Sequence, residues 1–138
     1  ATAALERYLA AARDLEHSGA QPAATAAYGA ATERWPQAFP AWMAYGNGLY
    51  AEGRFPAAEA AFRGAVNADP GDPRGWNNLA YALQGRGCAR QARQAAHCAA
   101  LLAPRDSNYQ DTLRDMEQYA PGGEGAHCEP VRCETGPR

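Results

Sequence analysis

Four cysteines are the residues of this chain whose type and spacing could do chemistry, as disulfides or as metal ligands. Cys88 and Cys98 lie ten residues apart in an alanine-rich stretch that predicts a helix. Ten helical residues rise by roughly 15 Å, whereas a disulfide needs Cα atoms within about 7 Å, so these two cannot bridge each other. Cys128 and Cys133 lie in the C-terminal tail, where five extended residues span at most ~17 Å. We therefore expect the tail to lie along the helix, tethered by two bridges.

The connectivity of these bridges depends on the direction of the tail. A tail parallel to the helix gives Cys88–Cys128 and Cys98–Cys133, the pairing we prefer, while the crossed pairing stays open. Two alternatives compete with the bridges, namely four free buried thiols or a zinc site. The ligands of that zinc site would be His97, Cys98, His127 and Cys128. Neighbouring helical residues point about 100° apart and no C-x2-C spacing is present, so we expect no metal.

No group of residues predicts catalysis. The histidines and serines are His17, His97, His127, Ser18 and Ser107. None of them forms a Cys–His arrangement with a third residue to orient it. Lysine is absent from the chain, which removes a Walker phosphate loop, a Schiff base and a Ser–Lys dyad. The acidic residues are scattered, so we expect neither an enzyme nor a cofactor.

Composition and charge restrict the fold class and the kinds of partner that we expect. Alanine abounds, isoleucine is absent and valine occurs only at Val66 and Val131, which predicts an all-α fold. The net charge of -2 argues against nucleic acid and anionic membranes as partners, and no apolar run reaches the ~20 residues of a membrane span. The chain opens at Ala1 without an initiator methionine, so we expect a segment of a longer protein. Paired cysteines favour the bacterial periplasm or export, and a cytoplasmic location stays open.

A period of 34 residues organises the chain. Pro36, Pro70 and Pro104 are spaced by that period. Other residues fall into the same register: Tyr8, Trp42 and Trp76; Leu15, Leu49 and Leu83; Gly19, Gly53 and Gly87; Ala24, Ala58 and Ala92; Tyr28, Phe62 and Ala96; Ala31, Ala65 and Ala99. Spacings of three, four and seven put the large residues on one helix stripe, and the glycines and prolines end the helices. The period therefore predicts three helical hairpins.

These residues resemble the tetratricopeptide repeat. The strongest match is Trp42-Met43-Ala44-Tyr45-Gly46, continuing through Ala58, Phe62, Ala65 and Pro70, and Trp76-Asn77-Asn78-Leu79-Ala80 follows it closely. The first copy is weaker because Tyr8 replaces the tryptophan. The resemblance implies an all-α, right-handed superhelix (a solenoid) of three helix-turn-helix repeats. A further helix would cap the last apolar surface.

The expected boundaries follow from the register. Helices are predicted at about 4–17, 21–34, 38–51, 55–68, 73–85 and 89–102, with a capping helix at about 107–119. The repeats are about 5–38, 39–72 and 73–106. We expect residues 1–120 to form the repeat array and residues 121–138 to form the cysteine-containing tail.

The resemblance also implies a concave groove lined by the first helix of each repeat. Its predicted partner-binding residues are Leu9, Arg13, His17, Met43, Asn47, Tyr50, Arg74, Asn77, Tyr81 and Gln84. Aromatic, methionine, asparagine and arginine side chains are the anchors that interfaces favour. We therefore expect a non-catalytic module that binds a peptide or partner segment.

One sub-family of these repeats clamps the terminal carboxylate of chaperone tails. The matching positions here are Leu9, Arg13, Ala44, Arg74 and Asn78, of which only Arg74 keeps the charge type, so we do not expect a co-chaperone. The runs Glu33-Arg34-Trp35-Pro36, Tyr45-Gly46-Asn47 and Trp76–Ala80 also resemble the repeat region of bacterial envelope proteins related to bacteriocin-processing cysteine peptidases. That resemblance implies a partner-binding appendage of such a protein, without the peptidase domain. The alternative function is a structural domain that positions an adjoining enzyme or self-associates through its open N-terminal end.

Overall fold

The computed structural model describes residues 2–119 and 127–133. Within those ranges the chain forms seven α-helices and no strand, which confirms the all-α prediction. The helices are α1 Thr2–His17, α2 Gln21–Arg34, α3 Phe39–Ala51, α4 Phe55–Ala68, α5 Pro73–Gly85, α6 Ala89–Leu102 and α7 Ser107–Gln118. Their bounds lie within two residues of the predicted ones. None of these helices is long and apolar enough to cross a membrane.

The turn inside each hairpin is the same in all three copies. Gly19, Gly53 and Gly87 have φ angles of 89°, 74° and 84°, a left-handed conformation that costs glycine little. The amide after each glycine donates to a carbonyl five residues back, as Cys88 does to Leu83 at 2.9 Å. These bonds satisfy the last carbonyls of the first helix and start the return helix.

A tryptophan and a proline of the 34-residue register contact each other between hairpins. The indole Nε1 of Trp42 donates to the Pro36 carbonyl at 2.8 Å, and Trp76 donates to the Pro70 carbonyl at 2.9 Å. Each bond gives the indole N–H a partner while the ring packs into the hairpin. This explains why both residue types recur in the same register.

The chain divides into two compact units, Ala1–Asp69 and Pro70–Arg138. In the first unit, glycines let aromatic rings approach the helix backbone. A Cβ on Gly46 would overlap the ring of Phe62, and one on Gly64 would overlap the ring of Trp42. The cluster at the other end of this unit comprises Leu9, Ala12, Ala24, Tyr28, Ala31 and Ala41.

The second unit contains α5, α6 and α7 with a core built mainly from alanine and leucine. Its buried residues include Trp76, Leu79, Leu83, Ala92, Ala96, Ala99 and Met116. Met116 lies on α7 and is 1% exposed, so α7 covers the hairpin α5–α6 as the predicted capping helix should. Apolar burial of this kind is the main term that stabilises each unit.

Candidate partner-binding surfaces and the disulfide-tethered tail

The predicted groove residues of the first unit lie on α1 and α3. Arg13, His17 and Asn47 are exposed, and Met43 is half-buried. Leu9 is 6% exposed and belongs to the core cluster with Tyr28, so it packs the hairpin and presents almost no surface to a partner. This placement corrects the expectation for Leu9. Leu9 occupies a repeat position that faces the second helix of its hairpin. Met43, at the same position of the next repeat, is also half-buried.

Tyr50 is the large side chain that this unit presents from α3. It is 37% exposed, and its ring meets the ring of Phe55 edge to face, with centroids 5.2 Å apart. A ring held by an aromatic neighbour loses little conformational freedom on binding. Tyr50 is therefore a pre-oriented apolar contact.

Arg74 begins the corresponding surface of the second unit, at the start of α5. The Asp72 carboxylate accepts the backbone N–H of Arg74 at 3.0 Å and so caps the helix. The same carboxylate accepts from the guanidinium, with Nη2 2.6 Å from Oδ2 and Nε 3.0 Å from Oδ1. These side-chain bonds from Arg74 hold the pKa of Asp72 below its usual value. The guanidinium is thus fixed in orientation although the side chain is 64% exposed.

Asn77 and Tyr81 continue the α5 surface one and two turns further. The Oδ1 of Asn77 is buried and has no hydrogen-bond partner among the described residues. The Tyr81 hydroxyl lies 3.4 Å from Oγ1 of Thr112 on α7. Thr112 in turn donates to the Asn108 carbonyl at 3.1 Å. Gln84 is half-buried at the end of this surface.

Helix α7 also brings Tyr109 towards the start of α5, which sequence reasoning did not foresee. Burial raises the pKa of Tyr109, and the carboxylates of Asp106 and Asp72 raise it further while Arg74 opposes them. Tyr109 and Thr112 therefore belong to the polar surface of this unit. A sequence signal existed, because a shift of 34 residues aligns α7 with α5 as a further first helix.

The tail residues 127–133, here called the strap, are joined to α6 by two disulfides. Cys88 pairs with Cys128 and Cys98 pairs with Cys133, each with a Cα–Cα distance of 5.7 Å. This is the pairing preferred from the sequence, with the strap running parallel to α6. With both bridges formed, none of the four sulfurs is a free thiol.

One strap side chain and one backbone amide add to the covalent tether. Val131 is 6% exposed, and its N–H donates to Oε1 of Gln94 on α6 at 3.3 Å. Cys88 and Cys98 are 1% and 2% exposed, whereas Cys128 and Cys133 are half-buried. The accessible side of each bridge is therefore its strap cysteine.

Comparison with known proteins finds a matching family model and a shared fold. Residues 39–82, which span α3, α4 and most of α5, match the family model of the tetratricopeptide repeat. No curated protein sequence matches this chain.

The solved structures that resemble the chain include the following three. A mutant Thermobaculum terrenum O-GlcNAc transferase matches with a TM-score of 0.74 and 24% identity over 86% of this chain, which spans 23% of the transferase. The first TPR of Spaghetti (RPAP3), bound to the HSP90 peptide SRMEEVD, has a TM-score of 0.75 at 14% identity, covering 83% of this chain and 90% of that one. The Yersinia enterocolitica type III secretion chaperone SycD, with a peptide of the translocator YopD, has a TM-score of 0.76 at 17% identity, covering 85% and 95%. Identities this low show a shared fold.

Proposed function

We propose that this chain, which carries tetratricopeptide repeats and has their fold, is a non-catalytic protein-interaction module. It binds a peptide or partner segment through the exposed surface of a single unit, that of α5 in the second unit or that of α1 and α3 in the first. The carrying observation is the α5 surface, where Asp72 holds the exposed Arg74 guanidinium in a fixed orientation, one turn before Asn77 and two turns before Tyr81.

Two of the similar structures support this proposal. RPAP3 is bound to a peptide of HSP90, and SycD is in complex with a peptide of YopD. This chain spans 90% and 95% of those two chains, so almost the whole of each peptide-binding array has a counterpart here. The partner of this chain is defined by chemistry alone, as an extended segment that offers backbone donors.

The chemistry of the α5 surface suggests how such a segment would bind. A backbone N–H of an extended segment can donate to the hydroxyl oxygen of Tyr81, and a carbonyl of that segment can accept from the Arg74 guanidinium. Tyr81 adds a ring for packing and a hydroxyl for hydrogen bonding, which makes it the strongest candidate anchor. In the first unit, Tyr50, Met43 and Asn47 offer the same kinds of contact.

A random-peptide phage library selected on the purified chain tests the proposal. Peptides that bind should lose at least about tenfold in affinity against Tyr81→Ala, measured by calorimetry. The matched control is His97→Ala, an exposed change on α6 that should leave binding intact. Equal affinities for wild type and Tyr81→Ala would assign binding to another surface.

The bridges also support a location. Two cysteine pairs at disulfide distance are compatible with an oxidising compartment. We propose the bacterial periplasm or an exported location, and a cytoplasmic protein with reduced thiols is the alternative. Alkylation of thiols in freshly lysed source cells distinguishes the two, because only reduced cysteines take up the label.

A second candidate function is the positioning of an adjoining enzyme domain or self-association. Its supporting observation is the transferase match, in which this fold is 23% of a longer enzyme. The first helix offers a surface for self-association, since Leu15 is 38% exposed on α1. Light scattering tests self-association, because a particle of 14.7 kDa is a monomer and twice that mass is a dimer.

A further inference from the structure

The strap covers one face of α6 in addition to being tethered at both ends. Spacings of three, four and three residues put Cys88, Gln91, Ala95 and Cys98 on the same side of the helix. All four are buried, with Gln91 8% and Ala95 0% exposed. Gln91 is polar, yet it is buried on the side of α6 that carries both bridges. Its burial indicates that the strap shields this face from water.

The apolar contacts of the strap are small compared with the chain that they would have to order. Among its non-cysteine residues, Val131 is the buried one, while His127, Glu129, Pro130 and Arg132 are exposed. Fixing seven residues costs more conformational entropy than the burial of one valine and the weaker polar contacts of the strap, those of Glu129 and Pro130 included, together offset. The two bridges therefore keep the strap in place.

Shielding also leaves an acceptor unsatisfied. The Oε1 of Gln91 is buried and has no hydrogen-bond partner among the described residues. A buried carbonyl without a donor raises the free energy of the covered form, and hydration would remove that cost. The covered form is thus opposed by both chain entropy and desolvation.

We propose that residues 127–133 are a redox-releasable strap, which separates from α6 when both disulfides are reduced and uncovers the face of Gln91 and Ala95. The second unit keeps its helices in both forms. The redox state then controls which surface of this unit meets a partner. The inference does not rest on peptide binding by α5.

The reductant required is a dithiol, which supplies two electrons and two protons to each bridge. Its thiolate attacks the sulfur of Cys128 or Cys133, the accessible members, and the S–S bond breaks as a mixed disulfide forms. The buried partner, Cys88 or Cys98, leaves as a thiolate and takes up a proton. The second thiol of the reductant then attacks the mixed disulfide, which releases the strap cysteine as a thiol and leaves the reductant oxidised.

The core of the second unit does not depend on the strap. Trp76, Leu79 and Leu83 are buried on α5, and Met116 of α7 is 1% exposed. Ala92, Ala96 and Ala99 of α6 are also 0% exposed, and α6 packs against both α5 and α7. Release of the strap therefore leaves the packing of the three helices intact.

Hydrogen exchange of the full chain with and without dithiothreitol tests the proposal. We expect the Val131 amide, which bonds to Gln94 in the covered form, to exchange at least about tenfold faster after reduction. Trypsin should also cleave faster after Arg132 in the strap. The helical circular dichroism should not change, and alkylation counted by mass should confirm four thiols.

The matched control is the chain with alanine at all four cysteine positions, which should exchange rapidly at Val131 and ignore dithiothreitol. Unchanged protection of Val131 with four alkylated thiols would overturn the proposal, because the strap would then hold without bridges. Loss of the helical signal on reduction would also overturn it, because the bridges would then be structural supports. Covalent dimers in the oxidised protein on non-reducing electrophoresis would contradict a strap that closes on its own chain.

Discussion

The hairpin α3–α4 of the first unit and the hairpin α5–α6 of the second unit fill the same repeat positions differently. In α3–α4 the ring of Phe62 seats against Gly46, and that of Trp42 seats against Gly64. In α5–α6 the position of Phe62 is taken by Ala96, and that of Gly64 by the bridged Cys98. Where alanine leaves less apolar surface to bury, the chain adds a covalent connection.

The two units also differ in the hydrogen bonds at the first residues of their helices. Helices α2, α3 and α4 of the first unit begin without a side-chain hydrogen bond at the cap. In the second unit, Asp72 and Asp106 accept the amides of Arg74 and Asn108 at 3.0 and 2.9 Å. The first unit therefore relies on packing, whereas the second adds polar and covalent constraints that pH and redox state can alter.

The largest effect should come from removing the aromatic packing of the first unit. Phe62→Ala leaves a cavity over Gly46 and should lower the free energy of unfolding by about 3–5 kcal/mol. Urea denaturation followed by circular dichroism measures it. The counterpart in the second unit, Ala96→Gly, should cost only about 1 kcal/mol. Similar losses for both variants would mean that the aromatic ring is not what distinguishes the two hairpins.

The next largest effect on stability should come from Tyr28, which stands in the first repeat at the position of Phe62. Its hydroxyl donates to the Glu16 carboxylate, and burial, with that bond and charge, raises its pKa to about 12. The neutral phenol is thus favoured by the fold. Its contribution, about 3 kcal/mol, is fully present below pH 10 and is lost as the pH rises through 12. Tyr28→Phe should therefore be less stable than the wild type at pH 9, and the two stabilities should converge as the pH approaches 12, measured by urea denaturation at each pH. A difference that does not change with pH would contradict the assignment.

These residues also show how far the sequence could predict the structure. Glycines and prolines in a 34-residue register fix the helix ends, because each acts through its own backbone, and seven helices were predicted to within two residues. Matching a helical rise to an extended span predicted two bridges between tail and helix, and the direction of the tail favoured the observed pairing over the crossed one. The burial of Leu9 and the approach of Tyr109 to α5 did not follow, because both depend on how packed helices rotate about their axes. The unsatisfied oxygens of Asn77 and Gln91 depend on the same rotations.

Loss of the bridge Cys88–Cys128 should have a smaller effect than its loop suggests. A loop of 40 residues predicts roughly 4 kcal/mol if the strap is ordered in the folded state with or without the bridge. If reduction releases the strap, the folded state also regains freedom, and the loop from Tyr119 to Cys128 is about a quarter as long. The net cost of losing the bridge is then the difference between closing the long loop in the unfolded chain and the short loop in the folded chain. A fourfold difference in loop length corresponds to about 1 kcal/mol.

The chain with alanine at all four cysteine positions, compared with the double variant Cys98→Ala/Cys133→Ala that keeps the Cys88–Cys128 bridge alone, distinguishes these cases by urea denaturation. A decrease of about 1 kcal/mol in the free energy of unfolding agrees with a releasable strap. A decrease of about 4 kcal/mol agrees with a strap that stays ordered without the bridge. The wild-type chain in dithiothreitol should lose at least as much as the double variant, since both bridges are then open. Comparison with Phe62→Ala on the same scale shows whether cross-links or aromatic packing contribute more.

The smallest effect concerns the ion pair that marks the start of the second unit. Asp72→Asn keeps an oxygen that can accept the Arg74 amide but removes the carboxylate charge, so it should cost only about 0.5 kcal/mol at neutral pH, because the arginine is largely exposed. The pKa of Asp72 is lowered in the fold, so this contribution is present above the ordinary carboxyl pKa and is lost as the pH falls below about 4. The stabilities of variant and wild type should therefore converge in acid. A difference that persists at low pH would mean that Asp72 acts through its cap geometry, which would make the second unit as insensitive to charge as the first.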